Sequence, residues 1–203
     1  MTTTALPAAL EANALEQLFL AARTHQGWQP APVAPQLLQQ VYDLAKMAPT
    51  ASNSQPMRVL FVQSPEAKER LRPTLAAGNV AKTMTAPVTA IVAMDTAFYE
   101  YFPRLFPAVP TMRDTTAAKP EADREAMAFQ STMLQAAYLI VAARAVGLDC
   151  APMAGFDKTA VDAEFFVGST WKACLLINLG YGDQSKLYPR AARLSFDEAC
   201  RIA

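Results

Sequence analysis

Apolar residues recur at helical spacing in two segments near the start of the chain, residues 14–22 and 35–47. The apolar side of the second segment is formed by Leu37, Leu38, Val41, Leu44 and Ala45. Pro35 suits the first turn of that helix, where a missing backbone N–H is not needed. The pattern therefore predicts two helices, separated by the polar and proline-bearing residues 23–32.

Three short runs have the composition of buried strands, namely residues 59–62, 88–94 and 174–179. They are rich in β-branched and apolar residues and are bounded by proline or polar residues. Residues 98–119 combine three prolines with several aromatics and show no sustained period. That segment predicts a loop or a short helical excursion.

The longest predicted helix covers residues 121–146, with acidic residues in its first turn and Gly147 directly after its end. Its second half is apolar nearly all round, which predicts a position at the centre of the molecule. The apolar tract 133–148 is interrupted by Gln135 and Arg144. Because it is shorter than the roughly 20 residues of a membrane span, it predicts a buried helix.

The irregular order of helices and strands favours an α+β fold, with a sheet wrapped by helices, over a regular βαβ array. A length of 203 residues predicts a single domain, residues 1–203. The chain is 52% hydrophobic and only 18% charged, against about 25% charged residues in an average protein. Such a chain has either a large core or apolar surface that a partner subunit covers.

The balance of charge and the cysteines narrow the class of protein. Basic and acidic residues number 18 each, so no overall field favours nucleic acid or an anionic membrane. Cys150, Cys174 and Cys200 are far apart and form no CxxC pair, which argues against a disulfide scaffold or a metal site. The first 20 residues lack the basic region of a signal peptide. We therefore expect a cytoplasmic protein without nucleic-acid, membrane or metal partners.

Several common catalytic signatures are missing from the sequence. There is no GxGxxG after a strand, no GxxxxGK[ST], no GxSxG and no HExxH, so the chemistries that depend on them lack their residues. His25 is the single histidine, and no neighbouring pattern supports a Ser-His-Asp or Cys-His site. Without further evidence, we expect His25 to have a structural role.

The most informative segment is APTASNSQPMR at residues 48–58, between a predicted helix and a predicted strand. Composition alone indicates a turn whose side chains bond to their own backbone. The segment resembles the APSxxNxQPWRF signature of the nitroreductase family. Arg23-Thr24-His25 stands where that family has an Arg-x-Ser element.

The resemblance continues in order through nearly the whole chain. It includes Gly78-Asn79 with Lys82, then residues 152–157 and 193–198. More narrowly, the strings ARTHxGW, RLRPxLxxGNxAKTxTAPVTAIVA, QAAYLIVAxRAxGLD, PMxGFD and GYGDxSKLY resemble the malonic semialdehyde reductase branch associated with pyrimidine degradation.

The resemblance implies a nitroreductase-like fold with a mainly antiparallel sheet and a homodimer that exchanges a strand. It implies FMN bound between the two subunits, with NADPH or NADH as hydride donor. The chemistry would take place at flavin N5 in a ping-pong sequence, without a catalytic side chain. The surplus of apolar residues agrees with a subunit interface.

The flavin-binding residues that the resemblance implies are Arg23, Thr24, His25, Pro49, Thr50, Asn53, Gln55, Asn79, Lys82, Ala154, Gly155, Lys186, Arg190 and Arg193. Arg23 and Arg193 match phosphate-binding arginines, whose guanidinium fork suits a phosphate, with Lys186 and Arg190 as further candidates. Lys82 matches a lysine near flavin N1 and O2. Without the resemblance, each of these cations would be an ordinary surface residue.

The remaining implied contacts lie around the ring. Thr50, Asn53 and Asn79 correspond to contacts at the ring edge. Ala154 and Gly155 correspond to a backbone strip beside N5, where the missing side chain of glycine permits a close approach.

Three positions depart from the broader family pattern. His25 replaces a serine, Gly27 replaces a second basic residue, and Ala154 replaces an acidic residue. His25 is therefore a candidate for contact with the phosphate or the ribityl chain.

The resemblance implies an FMN-dependent, NADPH-preferring reductase of malonic semialdehyde that forms 3-hydroxypropionate. The substrate carboxylate needs a cation, for which Arg58, Arg104 and Arg113 are candidates. A broad nitro or quinone reductase is the second enzyme hypothesis. A non-catalytic flavin-binding module and a dimer without any cofactor are the alternatives from other classes.

Overall fold

Four antiparallel strands form a sheet at the centre of the protein. The structure is a computed structural model that describes residues 8–203. The strands are β1 Met57–Val62, β2 Val88–Asp95, β3 Asp149–Met153 and β4 Trp171–Gly180. Their order in the sheet is β1-β2-β4-β3. The two strands with the longest apolar runs, β2 and β4, are therefore the central ones.

The register of the sheet places β1 and β3 at opposite edges. At the start of β1, Met57 pairs with Met94 near the end of β2. At the start of β3, Cys150 pairs with Leu179, which in turn pairs with Val88 at the start of β2. The starts of β1 and β3 are therefore diagonally opposite corners of the sheet.

Nine helices surround the sheet in the described part of the chain. They are α1 Ala12–Leu15, α2 Pro35–Ala45, α3 Pro65–Leu71, α4 Ala77–Thr85, α5 Phe102–Leu105, α6 Met112–Ala117, α7 Glu121–Ala145, α8 Lys158–Phe165 and α9 Phe196–Ala199. A π-helical turn, Glu16–Leu20, continues α1. Short 3₁₀ turns cover Ala51–Asn53, Arg72–Thr74, Phe98–Tyr101 and Gln184–Lys186.

Side-chain caps define where three of these helices begin. The Ser64 hydroxyl accepts a hydrogen bond from Ala67 N–H at the start of α3, and Asp157 caps α8 in the same way. Ser195 and Glu198 form a capping box at α9. Each cap satisfies a backbone N–H that the helix itself leaves without a partner.

Both faces of the sheet are covered by helices. The larger core contains Val41 and Ala45 of α2, Leu139 and Ala143 of α7, and Val88, Ala90 and Val92 of β2. The core on the other face contains Leu71 of α3, Val161 of α8, Ile91 and Ala93 of β2, and Leu176 of β4. Successive residues of β2 point to opposite faces, so the whole strand is buried.

The polar residues that interrupt the apolar tract of α7 have specific partners. The Gln135 side-chain oxygen accepts a hydrogen bond of 3.0 Å from Met57 N–H at the start of β1, in a buried position. Arg144 forms an ion pair with Asp149 at the start of β3. Gln135 and Arg144 therefore connect α7 to the two outer strands of the sheet.

The predicted α+β class is confirmed, and the three predicted strands are present with one to three extra residues at their ends. Residues 98–119 contain short helices, as expected of an excursion. The strand β3 was not predicted, because Pro152 lies within it, and proline is tolerated in a strand mainly at a sheet edge. α1 begins two residues earlier than the predicted helix 14–22.

The predicted burial of α7 at the centre of the molecule holds for one of its sides. Its buried side packs on the sheet and on α2, but Leu134 and Tyr138 are 47% and 45% exposed. Phe129, one to two turns earlier, is also exposed. By length and composition alone α7 is sufficient to cross a membrane, yet in this fold one of its sides forms part of the main core.

We predict that Gly182→Ala destabilises the fold. A Cβ atom on Gly182 would lie 2.0 Å from Nδ1 of the buried His25 ring, and an overpacked core typically loses about 1–3 kcal/mol. Thermal and urea unfolding would measure the loss. Gly78→Ala is the control, because nothing lies within 4 Å of its Cβ position and alanine is the better helix former. Equal stability of the two variants would contradict the tight packing of His25 on Gly182.

Candidate functional site

A cavity of about 190 Å³ lies beside the edge strand β3. Its lining consists of Leu18, Ala22, Arg23, Thr24, Ile140, Arg144, Cys150, Pro152, Arg190 and Arg193. Four arginines and no carboxylate therefore line this space among the described residues. We call it the arginine cavity.

Three of the four arginines keep their charge without an acidic partner in residues 8–203. Arg23 donates to the Tyr188 carbonyl, and Arg190 donates to the carbonyls of Leu20 and Ala22. Arg193 also donates to backbone carbonyls only, those of residues 191 and 192. Since carbonyl groups orient a guanidinium without neutralising it, the cavity is suited to an anion with several oxygen atoms.

Backbone pairing with β3 sets the position of Arg23. Thr24 forms a parallel bridge with Cys150, and His25 N–H donates to the Cys150 carbonyl at 3.2 Å. The segment that carries Arg23 thus runs along the edge of the sheet. The arginines near the two ends of the chain, Arg23 and Arg193, are brought to one cavity within a single protomer.

The carboxylate of Asp149 connects the elements around the arginine cavity. It pairs with Arg144, lies 3.3 Å from His25 Nε2, and accepts a 2.9 Å hydrogen bond from Gly182 N–H. Burial acts to raise the pKa of Asp149, but the hydrogen bonds from His25 and Gly182 and the nearby positive charges outweigh burial and lower it. The carboxylate therefore stays ionised and fixes α7 and the His25 segment to β3.

His25 does not lie where the resemblance suggested. Its side chain is 1% exposed, packs against Gly182 and faces Asp149, and it does not line the arginine cavity. The His25 ring fills the space that glycine at position 182 leaves open, and its Nε2 lies 3.3 Å from Asp149 Oδ1, which explains this orientation. Contact between the His25 side chain and a phosphate in the cavity would need a different rotamer.

Cys150 lines the arginine cavity but is not arranged as a nucleophile. Its thiol is buried and lies 3.8 Å from the Ile140 carbonyl, and burial raises its pKa to about 12. His25 interacts with Asp149 and not with the sulfur. The described residues therefore hold no activated Cys–His pair at this cavity.

A second group of predicted site residues gathers where α4 meets the end of β3. Asn79 Nδ2 donates to the Gly155 carbonyl at 2.8 Å, and a Cβ atom on Gly155 would lie 2.8 Å from that nitrogen. Ala154 and Gly155 are exposed next to it. The close approach explains why the backbone strip has a glycine at position 155.

Lys82 lies on the last turns of the same helix, and burial lowers its pKa. Its carbonyl accepts hydrogen bonds from Trp28 Nε1 at 2.8 Å and from Asn178 Nδ2 at 3.3 Å. Trp28 is five residues after Arg23 in the chain. The Arg23 segment and the Lys82 helix are therefore joined directly, on the β3 side of the sheet.

Lys186 occupies the space above Gly27. A Cβ atom on Gly27 would lie 2.4 Å from Lys186 Cδ, and Lys186 Nζ lies 3.9 Å from Asp183 Oδ2. The missing basic side chain at position 27 thus leaves room for a lysine from a distant segment. Lys186 does not line the arginine cavity.

Residues 49–55, which we call the polar loop, lie before β1. Three of them have left-handed backbone conformations without being glycine: Ser52, Asn53 and Gln55, with φ of 52°, 51° and 43°. Asn53 Nδ2 donates to the Leu105 carbonyl, and Gln55 Nε2 donates to Asn53 Oδ1. Thr50 Oγ1 accepts from Gln55 N–H. Such a cluster of strained residues is typical of a functional loop.

A second cavity of about 560 Å³ adjoins the polar loop and the edge of β1. It is lined by Pro35, Leu38, Gln39, Tyr42, Gln55, Met57, Arg58, Val59, Phe61, Gln63, Tyr101, Arg104, Leu105 and Trp171. We call it the β1 cavity. Two of the three arginines that sequence reasoning proposed for a substrate carboxylate, Arg58 and Arg104, line it.

The three proposed arginines differ in whether their guanidinium groups are paired with a carboxylate. Arg58 donates to Asp95 at 2.7 Å and to the Gln55 carbonyl at 2.9 Å. Arg113 is paired with Glu100 and Asp114 and does not line the β1 cavity. Arg104 has no acidic partner in the described chain, and its guanidinium lies 5.8 Å from the Tyr101 ring centre. Arg104 is therefore the guanidinium available to an anion here.

The polar loop and the arginine cavity do not meet within one protomer. The loop precedes Met57, and the cavity surrounds Cys150, at diagonally opposite corners of the sheet. Three strand spacings of about 4.8 Å and six residues of about 3.3 Å separate these corners by on the order of 25 Å. The predicted site residues thus form two groups in a single chain.

Sequence reasoning missed some residues that shape the site. Arg144 and Trp28 are among them. Both could have been found from the sequence, because Arg144 interrupts an apolar tract and Trp28 belongs to the ARTHxGW string. Tyr101, which lies between Arg58 and Arg104, gave none, because its partners are remote from one another in sequence.

Comparison with known proteins identifies the family and the fold of this chain. A family model described as the Nitroreductase family matches residues 20–181. A candidate nitroreductase from Exiguobacterium sibiricum, solved in complex with FMN, is 20% identical, with 100% of both chains covered and a TM-score of 0.83. A candidate NAD(P)H:FMN oxidoreductase from Staphylococcus epidermidis is 18% identical, with 98% of this chain and 100% of that chain covered and a TM-score of 0.81.

A third similar structure is CLA-ER, described as an enone reductase of gut-bacterial fatty acid saturation metabolism. It is 18% identical, with 95% of this chain and 99% of that chain covered and a TM-score of 0.83. The shared fold extends over both groups of site residues described above.

Proposed function

We propose that this chain, which belongs to the nitroreductase family, is an FMN-dependent oxidoreductase that uses NADPH or NADH as hydride donor. The observation that carries the proposal is the arginine cavity, where three guanidinium groups converge that have no acidic partner among residues 8–203. Bound FMN would supply the redox chemistry, namely transfer of a hydride from NAD(P)H to an acceptor.

The residues of the arginine cavity fit a flavin phosphate. In the proposed complex, Arg23, Arg190 and Arg193 hold the phosphate by charge-assisted hydrogen bonds. Thr24 lines the same cavity and offers a hydroxyl. The absence of a carboxylate from the described lining supports this assignment, because a phosphate would be repelled by one.

The residues around α4 fit the flavin ring. Lys82 would place a cation at the pyrimidine edge, where negative charge accumulates on reduction, and so favours the reduced state. Asn79 would contact the ring edge, and the exposed backbone of Ala154 and Gly155 would lie beside N5. The hydrogen bond from Trp28 to the Lys82 carbonyl supports a fixed spacing between these residues and the phosphate site.

We infer that the complete site requires a second copy of the chain. The polar loop, with Pro49, Thr50, Asn53 and Gln55, is about 25 Å from the arginine cavity of its own protomer, so its contacts with the same flavin would come from the partner. Uncovered apolar side chains support a homodimer: Phe19, Leu20, Phe129, Leu134, Tyr138, Leu194, Phe196 and Ile202. The unpaired edge of β1 would accept an exchanged strand.

For the acceptor we propose malonic semialdehyde, reduced to 3-hydroxypropionate as a step of pyrimidine degradation in the cytoplasm. Arg104 supports this proposal, since it lies beside the polar loop in the β1 cavity and has a guanidinium available for a carboxylate. A broad nitro or quinone reductase is the second candidate, favoured by the apolar and aromatic part of the β1 cavity, which includes Phe61 and Trp171.

We predict that purified wild-type protein holds FMN and that NADPH or NADH bleaches its oxidised absorbance rapidly in anaerobic mixing. A non-catalytic flavin-binding protein would keep its colour. Steady-state turnover of malonic semialdehyde and of nitrofurazone would then separate the two enzyme hypotheses. Equal or better turnover of nitrofurazone would reject the semialdehyde assignment.

We predict that Arg23→Ala raises the dissociation constant for FMN by roughly 10- to 100-fold, because it removes a hydrogen-bonded charge from the phosphate site. Fluorescence titration of apoprotein with FMN measures this value. Cys150→Ala, which alters the same cavity without changing its charge, should leave FMN affinity and activity nearly unchanged. Lower FMN affinity or lower activity in a normally folded Cys150→Ala variant would indicate a role for the thiol.

We predict that Arg104→Gln raises KM for malonic semialdehyde by roughly tenfold or more, since a hydrogen bond to a charged group contributes about 1.5–3 kcal/mol. Turnover of an uncharged aldehyde should change little. Arg113→Gln is the matched control, because Arg113 is already paired with Glu100 and Asp114. Similar effects of both variants on both aldehydes would exclude a carboxylate-binding role for Arg104.

A further inference from the structure

Lys68 is a buried lysine without an acidic partner among the described residues. It lies on α3, and its side chain is 4% exposed. Its ammonium donates to the Thr83 carbonyl at 2.9 Å and to Thr89 Oγ1 at 2.5 Å. Lysines are rarely buried in this way, so the position calls for a physical explanation.

The burial of this cation is unfavourable by itself. Removal from water lowers the pKa of Lys68 to about 7. An apolar side chain of similar length would fill the same space without that penalty. Burial thus disfavours the charged form of Lys68, and the two hydrogen bonds of the ammonium direct attention to the helix end that it contacts.

The partners of Lys68 belong to a buried network at the C-terminal end of α4. Thr89 donates to Asn178 Oδ1 at 2.7 Å, and Asn178 Nδ2 donates to Thr83 Oγ1 at 3.2 Å. Asn178 also donates to the Lys82 carbonyl, as does Trp28. The network thus supplies donors from α3, β4 and the Trp28 segment to the last carbonyls of one helix, where the helix dipole favours positive charge.

α4 is the helix that carries Asn79 and Lys82. A cation held at its C-terminal end fixes the last turn, from which the Lys82 side chain projects. With a pKa of about 7, Lys68 is partly charged at neutral pH, and its charged form adds positive charge at the turn that contains Lys82 and Thr83. Lys82 belongs to this turn of α4, whereas Lys68 belongs to α3 and contacts the turn through the Thr83 carbonyl.

We propose that Lys68 is a positioning residue for the flavin site: it fixes the last turn of α4, orients Lys82 towards the pyrimidine edge, and adds positive potential that favours the reduced flavin. This inference rests on the proposed FMN-dependent function. Lys68 itself is buried and does not touch the cofactor. Its effect is transmitted through the Thr83 carbonyl and through its charge.

The test compares holoprotein of wild type with Lys68→Met, which keeps the apolar stem but removes the charge and the donor. FMN affinity is measured by titration, and the midpoint potential of bound FMN is measured by anaerobic redox titration. We expect the dissociation constant for oxidised FMN to rise roughly three- to tenfold, as for one lost hydrogen bond. We expect the affinity for reduced FMN to fall further, so the potential becomes more negative.

Two additional variants make the result decisive. Lys119→Met removes an exposed lysine and should change neither quantity. Thr89→Val removes the hydroxyl between Lys68 and Asn178 at nearly constant volume, and should shift the potential in the same direction by less. If Lys68→Met does not fold, Thr89→Val decides the question.

Equal loss of affinity for oxidised and reduced FMN, with an unchanged potential, would assign Lys68 a merely structural role and overturn the inference. An unchanged affinity and potential would do the same. Failure of the wild-type protein to bind FMN would instead overturn the proposed function. The two failures are therefore distinguishable in one set of measurements.

Discussion

The carboxylate of Asp149 is the interaction on which the arrangement of the arginine cavity depends. It binds Arg144 of α7, His25 of the segment after Arg23, and the Gly182 N–H after β4. These three elements are distant from one another in sequence, and all three contact the start of the edge strand β3 through Asp149. The half-buried carboxylate has three donors, which lower its pKa and keep it charged, and each donor is thereby held in one orientation. Arg23 lies within the cavity because the residues that follow it are held against β3 in this way.

The separation of the site into two groups is the second constraint on this protein. The polar loop and the arginine cavity occupy opposite corners of a four-stranded sheet, and one protomer does not bring them together. In the homodimer proposed above, a second copy would bring the two groups together and would also cover the exposed side of α7 around Leu134 and Tyr138. In that dimer, the surplus of hydrophobic residues and the shortage of charged ones would have the same cause as the complete site, namely a shared interface.

Buried polar side chains in this protein act mainly on the backbone. Gln135 accepts from Met57 N–H and so fixes the start of β1, directly after the polar loop. Asn178 and Lys68 donate to the last carbonyls of α4 and so fix the helix that carries Lys82. In an apolar core a polar group is tolerated only with a partner of defined geometry. Each of these groups therefore specifies the position of one backbone segment, and each such segment adjoins a candidate site residue.

The sequence by itself determined the elements that local chemistry dictates. Hydrophobic periodicity located α2, α7 and the three longest strands, and the motif resemblance indicated the family and a set of candidate site residues. The exposed side of α7 and the strand β3 were decided by tertiary structure, because a helix that is apolar all round does not reveal which side meets a partner and a proline obscures an edge strand. The orientation of His25 was decided by Gly182 and Asp149, which are more than 100 residues away in sequence. Residue types and spacing specify what a side chain can bind, whereas only the folded chain specifies which neighbouring groups it contacts.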